Sequence, residues 1–326
     1  MRMLSYSCAI NEAFHQIMES DERVFQIGVG VNTPWYVGNT LTGLLDRFGE
    51  RRMIDTPVSE CGITGISIGA ALTGLRPILT FPRMDFMYYA MDQIFNHAAI
   101  YNFSLGGHAP VPLVIRAIIN RGGEQAAQHS QALQAFFMHA PGFKVVMPSN
   151  AYDAKGMLMA AVKQDDPLIF IEDRWLYEQE SDVPQQGYTV PLTGAKVVSE
   201  GKDATIVASS YMVEEAKKAV ESLRERQVQV ELIDLRAVKP IDHGTVLASV
   251  RKTGRLLVVD GGWETGGIAA EVGFLVANLG FQDLKAPIER IALPDSPAPA
   301  SCLLEKAYYP TSQTIVEKVL QLISNH

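Results

Sequence analysis

The sequence predicts an α/β fold of two domains, each with a mainly parallel sheet. Short apolar stretches alternate with helical patterns along the first half, and strands joined through helices form parallel sheets that are covered on both faces. The alternation restarts after a polar, proline-containing segment, YEQESDVPQQGYTVPLTG, which has the composition of a linker. A length of 326 residues also exceeds that of a typical single domain. We therefore expect domains at 1–185 and 186–326.

The first domain is expected to contain three main helices and five strands. Apolar residues recur at helical spacing over 7–20, after Ser59 and over 88–99. Short apolar runs between these helices have the length and composition of buried strands. In chain order the predicted strands are VFQIG, PILTF, PLVIRA, FKVVMP and LIFIE.

The second domain is expected to repeat the pattern. Strand ATIVAS precedes helix MVEEAKKAVESLRERQ, and strand VQVELIDL precedes helix DHGTVLASVRKTG. Strand RLLVVD then leads through the glycine-rich turn GGWETGG into helix IAAEVGFLVANLG. Such a turn can present backbone N–H groups to a phosphate. It lacks the spacing of dinucleotide-binding and P-loop motifs, so we expect a tight turn, with phosphate binding as the minor alternative.

Charge and composition argue against several classes of partner. The net charge of −8 is spread along the chain, without a basic cluster to attract nucleic acid or an anionic membrane. The longest apolar stretch is interrupted by Arg76 and Pro77, short of the roughly 20 residues that span a bilayer. Acidic residues interrupt the N-terminal helix pattern, unlike a signal peptide. Three widely separated cysteines fit no disulfide framework or metal site. We expect a cytoplasmic protein.

Familiar catalytic motifs are missing, but one acidic residue stands out. The seven histidines form no H-x-x-x-H pair on a predicted helix, and no serine stands in G-x-S-x-G, which argues against a zinc centre and a hydrolase nucleophile. Glu60, in DTPVSECGITG, lies between a proline turn and a run of small apolar residues. A purely structural explanation is that Glu60 complements the dipole of the following helix, which Ser59 or Thr56 would cap.

Five blocks of sequence resemble, in order and spacing, the β subunits of thiamine-diphosphate-dependent 2-oxo acid dehydrogenases, which are transketolase-like enzymes. The resemblance spans nearly the whole chain and implies a pyrimidine-binding domain followed by a transketolase C-terminal domain. The blocks begin DTPVSECGITG, DFMYYAMDQ, AAQHSQALQAFF, VELIDLRAVKPID and LPDSPAPAS.

The resemblance implies roles for three side chains. Glu60 matches the glutamate that hydrogen-bonds N1′ of the cofactor's pyrimidine ring, which favours the imino form that activates the cofactor. Phe86, in MDFMYY, matches an aromatic residue that packs on this ring. His129, in QHSQ, matches a histidine at the substrate end of the site, where it would handle protons or stabilise the developing intermediate. A core phenylalanine and a structural histidine are the alternatives.

The resemblance also implies a structural potassium ion, held mainly by backbone carbonyl groups. The matching residues are Leu113, Ala161, Val162, Gln164 and Asp166.

Three charged residues, Arg116, Arg121 and Glu124, lie between a predicted strand and His129, in a glycine-containing loop. Arg121 would meet an anionic substrate or its lipoyl-bearing carrier, or would be a solvated surface arginine.

Two motifs of the dehydrogenases are missing. In that family the diphosphate and magnesium are held by G-D-G followed by N-N, and this chain contains neither. The resemblance therefore implies a separate α subunit that holds diphosphate and magnesium, in an α2β2 heterotetramer. After VFQIG, where the β subunits usually read G-E-D or G-E-E, this chain reads GVGVNTPWYVGNTLTG. This difference leaves the 2-oxo acid and the acyl acceptor open.

Three functional hypotheses follow. In the leading one, the chain is the β subunit of a dehydrogenase that decarboxylates a 2-oxo acid such as pyruvate and passes the acyl group to a lipoyl acyltransferase. In the second, a split transketolase-like transferase or decarboxylase uses another acceptor. In the third, a structural relative has kept the fold and lost the cofactor, against which the joint presence of Glu60, Phe86 and His129 argues.

Overall fold

A computed structural model describes residues 2–324 of the chain. It contains two compact units. The first runs up to Arg121 and resumes over Phe136–Leu192. The second combines Gly122–Ala135 with the chain from Thr193 onwards, so a short segment from the middle of the first half belongs to the second unit.

The first unit is built on a parallel sheet. Six of its strands lie in the order β6-β7-β5-β4-β2-β3, and every neighbouring pair among them is parallel. A separate antiparallel pair joins β1 to β8. The strands are β1 (Arg2–Ser5), β2 (Val24–Gly28), β3 (Met53–Asp55), β4 (Arg76–Phe81), β5 (Val114–Ile119), β6 (Lys144–Val146), β7 (Leu168–Asp173) and β8 (Glu180–Val183).

Two of the helices before residue 193 begin at a residue whose side chain caps them. Ser5 caps α1 by accepting a hydrogen bond from the backbone N–H of Cys8 at 3.3 Å, and Asn150 caps α6 through the N–H of Asp153 at 2.9 Å. The helices are α1 (Tyr6–Ser20), α2 (Leu44–Phe48), α3 (Glu60–Leu72), α4 (Tyr101–Ser104), α5 (Gln134–His139) and α6 (Ala151–Ala161).

Two local expectations for the first half differ from the structure. The helix predicted over 88–99 is a 3-10 helix at Met84–Ala90 followed by a π-helical turn at Gln93–Ala98. Glu180–Val183, inside the predicted linker, is strand β8, because the N-terminal strand β1 supplies its backbone hydrogen bonds. Neither the irregular helix nor this distant strand partner leaves a local sequence signal.

The second unit is a five-stranded sheet, β14-β13-β10-β11-β9, in which only the β11–β9 pair is antiparallel. Helices α7 and α11 bury residues such as Leu223 and Val319 in the apolar cluster that includes Leu232 of the sheet. The strands of this sheet are β9 (Lys196–Ser199), β10 (Ala204–Ala208), β11 (Val230–Asp234), β13 (Leu256–Trp263) and β14 (Glu289–Leu293), and β12 (Ala237–Lys239) lies outside it. The helices are α7 (Tyr211–Glu225), α8 (His243–Thr253), α9 (Ile268–Leu279), α10 (Cys302–Tyr308) and α11 (Ser312–Ser324).

The two-domain α/β architecture with mainly parallel sheets is thus confirmed. Over residues 2–324 no helix combines the length and the apolar character needed to cross a bilayer. Cys8, Cys61 and Cys302 are free and exposed.

Candidate active site

The candidate site lies where the strand order of the first unit reverses. From β2 the chain passes to β3 on one side and then to β4 on the other side of β2. Ligands of open parallel sheets bind at such a reversal, outside the carboxyl ends of the strands. The residues just beyond the ends of β2 and β4, Val29 and Pro82, both line one cavity there.

This cavity has a volume of about 460 Å3 and contains two of the predicted site residues, Glu60 and Phe86. Its other walls are mainly apolar, with contributions from Val58, Ile63 and Phe81. Larger cavities of about 870 and 600 Å3 occur elsewhere, but neither is lined by Glu60 or Phe86. An apolar cleft with one convergent carboxylate is the arrangement expected of a small-molecule site.

Glu60 is the first residue of α3 and is half-buried. Its carboxylate accepts no hydrogen bond and forms no ion pair within residues 2–324, and the side chain of the N-cap residue, Ser59, makes no capping hydrogen bond. The capping explanation through Ser59 is therefore wrong. The carboxylate still lies at the favourable end of the helix dipole, and its oxygens remain available to a ligand in the cavity.

Phe86 reaches the same cavity from the 3-10 helix that follows β4. The backbone N–H of Phe86 donates to the carbonyl of Arg83 at 3.2 Å, which fixes the turn that carries the ring. The ring is half-buried rather than enclosed in the core. A flat aromatic face and an unpaired carboxylate on one cavity fit a planar nitrogen heterocycle with a ring nitrogen directed at the carboxylate.

His129 lies in the segment Gly122–Ala135, which belongs to the second unit. Two anchors hold that segment. Gln134 donates to the buried carboxylate of Asp260 at 2.9 Å, and the N–H of Glu124 donates to both carboxylate oxygens of Glu305 at 3.1 Å. Glu124 in turn accepts from the N–H of Cys302 at the start of α10. Glu124 is thus a structural anchor of the segment that carries His129.

Arg116 and Arg121 have structural roles that the sequence did not indicate. Arg116 lies in β5, fully buried, and pairs with Glu172 of β7 and with the hydroxyl of Thr40 at 2.7 Å. Burial lowers the pKa of Arg116, but the Glu172 carboxylate more than compensates and the pKa is raised. Arg121 forms a buried ion pair with Asp173 at 3.0 Å, where burial raises the pKa of the Asp173 carboxyl and Arg121 opposes it. The alternative of a solvated surface arginine is wrong for Arg121.

Some of the carbonyl groups predicted to bind potassium converge. One nitrogen of Arg76, Nη1, donates to the carbonyl oxygens of both Val162 and Gln164 at 2.8 Å. The Leu113 carbonyl accepts from the N–H of Leu168 at 2.9 Å. Each carbonyl oxygen has two lone pairs, so an accepted hydrogen bond leaves one for a cation. Arg76 thus already supplies a positive charge to two of the five predicted ligands, and the potassium ion stays a prediction.

The glycine-rich turn before α9 is already occupied by the protein's own carboxylate. Asp260 is fully buried, and its two oxygens accept from the N–H groups of Gly262 at 2.8 Å and Ile268 at 2.7 Å. These are the donors that a phosphate would need. The phosphate alternative is therefore wrong for this turn. Within the described part of the chain, no group of three or more His, Cys, Asp or Glu side chains is arranged to hold a metal ion.

Two family models match the chain. The description "Transketolase, pyrimidine binding domain" covers residues 2–179, and "Transketolase, C-terminal domain" covers residues 193–315. The first includes Glu60 and Phe86, and together the two reproduce the predicted order of domains.

Two curated relatives extend over nearly the full length. The chain is 40% identical to the acetoin:2,6-dichlorophenolindophenol oxidoreductase subunit beta of Bacillus subtilis, covering 99% of this chain and 98% of the relative. It is 39% identical to the pyruvate dehydrogenase E1 component subunit beta of Rickettsia felis, covering 95% of both. A solved structure described as a split gene transketolase, an inactive beta4 tetramer, superposes with a TM-score of 0.79 over 97% of both chains. At 19% identity, that likeness concerns the fold alone.

Proposed function

The chain belongs to the β subunits of thiamine-diphosphate-dependent 2-oxo acid dehydrogenases, within the transketolase-like enzymes, and from this premise we propose how its half of the active site works. The observation that carries the proposal is the placement of the unpaired Glu60 carboxylate and the Phe86 ring on one apolar cavity. We assign the pyrimidine ring of thiamine diphosphate to that cavity. The substrate is a 2-oxo acid such as pyruvate.

Thiamine diphosphate, when bound, supplies the carbon nucleophile and the electron sink that decarboxylation requires. Glu60 holds a proton between its carboxyl oxygen and N1′ of the pyrimidine ring. Phe86 packs against the face of the ring and fixes its orientation, and the apolar walls exclude water from it. His129 donates or accepts protons at the substrate's reacting oxygen, a task suited to an imidazole near neutral pH.

An α subunit completes the site in this proposal and holds the diphosphate and magnesium. Support comes from this chain's lack of the G-D-G and N-N motifs that hold these groups in the family. A diphosphate needs compensating charge and donors, which the apolar cavity around Glu60 does not offer. We expect an α2β2 assembly with each cofactor bound between the two kinds of chain.

The acyl acceptor in the proposal is a lipoyl group on a partner acyltransferase. Both full-length relatives reported above are named as subunits of oxidoreductases, so the split-transferase alternative is not favoured. Retention of Glu60 and Phe86 on an open cavity also disfavours a relative that has lost its cofactor. Acetoin is a second candidate substrate, because the Bacillus subtilis relative is named for it and is as similar as the pyruvate enzyme.

We also propose a structural potassium ion at the carbonyl groups around Val162 and Gln164, and a cytoplasmic location. The ion is proposed from the resemblance of these positions to the family, and it would have to share the Val162 and Gln164 carbonyls with Arg76. Three exposed free cysteines support a reducing compartment. Replacing potassium by sodium at constant ionic strength is expected to lower the melting temperature of the assembled protein by a few degrees. An unchanged melting temperature would remove the ion from the proposal.

A reconstitution assay tests the function. The chain is co-expressed with the product of its genomic neighbour and given pyruvate, branched 2-oxo acids or acetoin, with 2,6-dichlorophenolindophenol as the electron acceptor. Dye reduction that requires both thiamine diphosphate and magnesium, with carbon dioxide release from the 2-oxo acids, is the expected result. A well-assembled complex that reduces no dye with any of these substrates would refute the proposal.

A further inference from the structure

The segment that replaces the acidic pair after β2 builds one wall of the cofactor cavity. It turns through residues 29–37 and ends in a 3-10 helix at Pro34–Val37, from which Tyr36 enters the cavity wall. Its neighbour Trp35 is 69% exposed, does not line the cavity, and contacts the Tyr36 ring edge-on at 5.6 Å between ring centroids. Two adjacent aromatic side chains therefore have opposite environments, and only Tyr36 faces the site.

Several contacts fix the Tyr36 ring in place. Gly30 has a φ of +69°, its N–H donates to Asp55 at 2.7 Å, and a Cβ at this position would lie 2.2 Å from a carbon of the Tyr36 ring. Only glycine tolerates both this backbone conformation and this approach. Arg174 donates to the carbonyls of Trp35 at 3.0 Å and Tyr36 at 3.5 Å, which holds the backbone of the turn.

A guanidinium group also covers the ring. The Cζ atom of Arg83 lies 5.7 Å from the centroid of the Tyr36 ring, within the range of a cation–π contact. Burial lowers the pKa of Arg83, and the neighbouring Arg174 lowers it further. The Tyr36 ring thus lies against Gly30 and Arg83, and Arg174 holds the backbone of the turn that carries it. These contacts restrict the movement of the Tyr36 ring.

We propose that Tyr36 determines substrate specificity, by limiting the acyl side chain that fits beside the cofactor and so selecting 2-oxo compounds with a short acyl group. The inference rests on the proposed function of the cavity. Glu60 and Phe86 take the pyrimidine ring, and Tyr36 comes from a different segment, after the end of β2. A rigid pocket wall discriminates by about 10–200-fold per methylene group.

The test measures kcat/KM of the reconstituted complex for pyruvate, 2-oxobutyrate and 2-oxoisovalerate. Each of these acids has one more carbon atom than the one before it. Tyr36→Gly is expected to raise the ratio of the larger substrates to pyruvate by about tenfold or more, because space opens beside the cofactor. Tyr36→Phe keeps the ring and should keep the wild-type ratio. Trp35→Phe is the matched control, since it changes the adjacent exposed aromatic residue and should leave the ratio unchanged.

Calorimetric titration of thiamine diphosphate provides a readout that does not depend on turnover. The dissociation constant of the Tyr36→Gly complex should stay within about threefold of wild type, a change of under 1 kcal/mol. A parallel fall in kcat/KM for all three substrates, or a large loss of cofactor affinity, would overturn the inference and make Tyr36 a cofactor contact. A wild-type complex inactive with every substrate would refute the proposed function, and the inference with it.

Gly30→Ala gives an independent check of the same geometry. The added methyl group would displace the Tyr36 ring, so the variant should change the substrate ratio. In a Tyr36→Gly background the ring is absent, and Gly30→Ala should not change the ratio further. Equal shifts in the two backgrounds would mean that Gly30 acts without Tyr36 and would contradict the proposed wall.

Discussion

At the scale of single residues, Glu60 is the side chain on which the proposed chemistry depends. Glu60→Gln keeps the size and polarity of the side chain but removes the carboxyl group. We expect the variant to assemble normally and to lose activity by about a hundredfold or more, the usual contribution of a positioned proton donor. Steady-state turnover, with size-exclusion chromatography as the check on assembly, measures this. Activity near the wild-type level would show that Glu60 only begins its helix.

The buried ion pair of Arg116 and Glu172 should contribute strongly to the stability of the fold. Glu172→Gln leaves the Arg116 charge fully buried without its counter-charge, and breaking such a pair costs about 3–5 kcal/mol. Urea unfolding is the measurement. Glu19→Gln breaks the exposed ion pair with Arg47 and is the control, with an expected cost below about 1 kcal/mol. Equal losses from the two variants would contradict the role given to the buried pair.

At the scale of elements, Asp242 shows how a helix cap responds to pH. Its carboxylate accepts from the N–H and the hydroxyl of Thr245 at the start of α8, and from the N–H of Ala195 at 2.9 Å. Burial raises the pKa of Asp242, but these hydrogen bonds and one from the N–H of Gly244 outweigh it, so the pKa is lowered. The carboxylate therefore stabilises the fold above its unfolded-state pKa near 3.8, and this stabilisation is lost as the pH falls through the lower folded value.

Asp242→Asn tests this pH dependence. The amide can still cap the helix but lacks the charge, so we expect a loss of about 1 kcal/mol in the free energy of unfolding at pH 7. The difference from wild type should begin to shrink near pH 3.8 and disappear below the folded pKa. Urea unfolding at a series of pH values measures it. A difference that stays constant with pH would assign the effect to packing.

Elements with strong local signals could be predicted from sequence, and those held by distant partners could not. VFQIG is strand β2 with the predicted bounds, and the helix predicted after Ser59 begins at Glu60. Strand β8 forms because β1 pairs with it, and Arg121 is buried because Asp173 lies on the neighbouring strand β7. Such partners are set by tertiary structure and leave no mark in nearby sequence.

The candidate site, too, could be predicted only in part from the sequence. The resemblance identifies Glu60 and Phe86, and both line one cavity, while their roles at the cofactor stay predictions. Tyr36 was missed, although it follows the predicted strand VFQIG, because nothing local indicates which of two adjacent aromatic residues faces the site. The glycine two residues after that strand, Gly30, was the available signal that the backbone there approaches another group closely.

At the scale of the whole molecule, the family is confirmed, and the central claim is that this chain contributes only half of a cofactor site. The cavity proposed for the pyrimidine ring is present, whereas the sequence offers no anchor for diphosphate and magnesium. Catalysis should then depend on a second kind of chain, and the proportion of the two should decide how many sites are complete.

The most direct test is to purify this chain and its proposed α subunit separately and to measure turnover as one is titrated into the other, with thiamine diphosphate and magnesium in excess. We predict no turnover by either chain alone, a linear rise to a plateau at equal amounts, and silence when the titrated chain carries Glu60→Gln. Cofactor-dependent turnover by this chain alone would contradict a shared site.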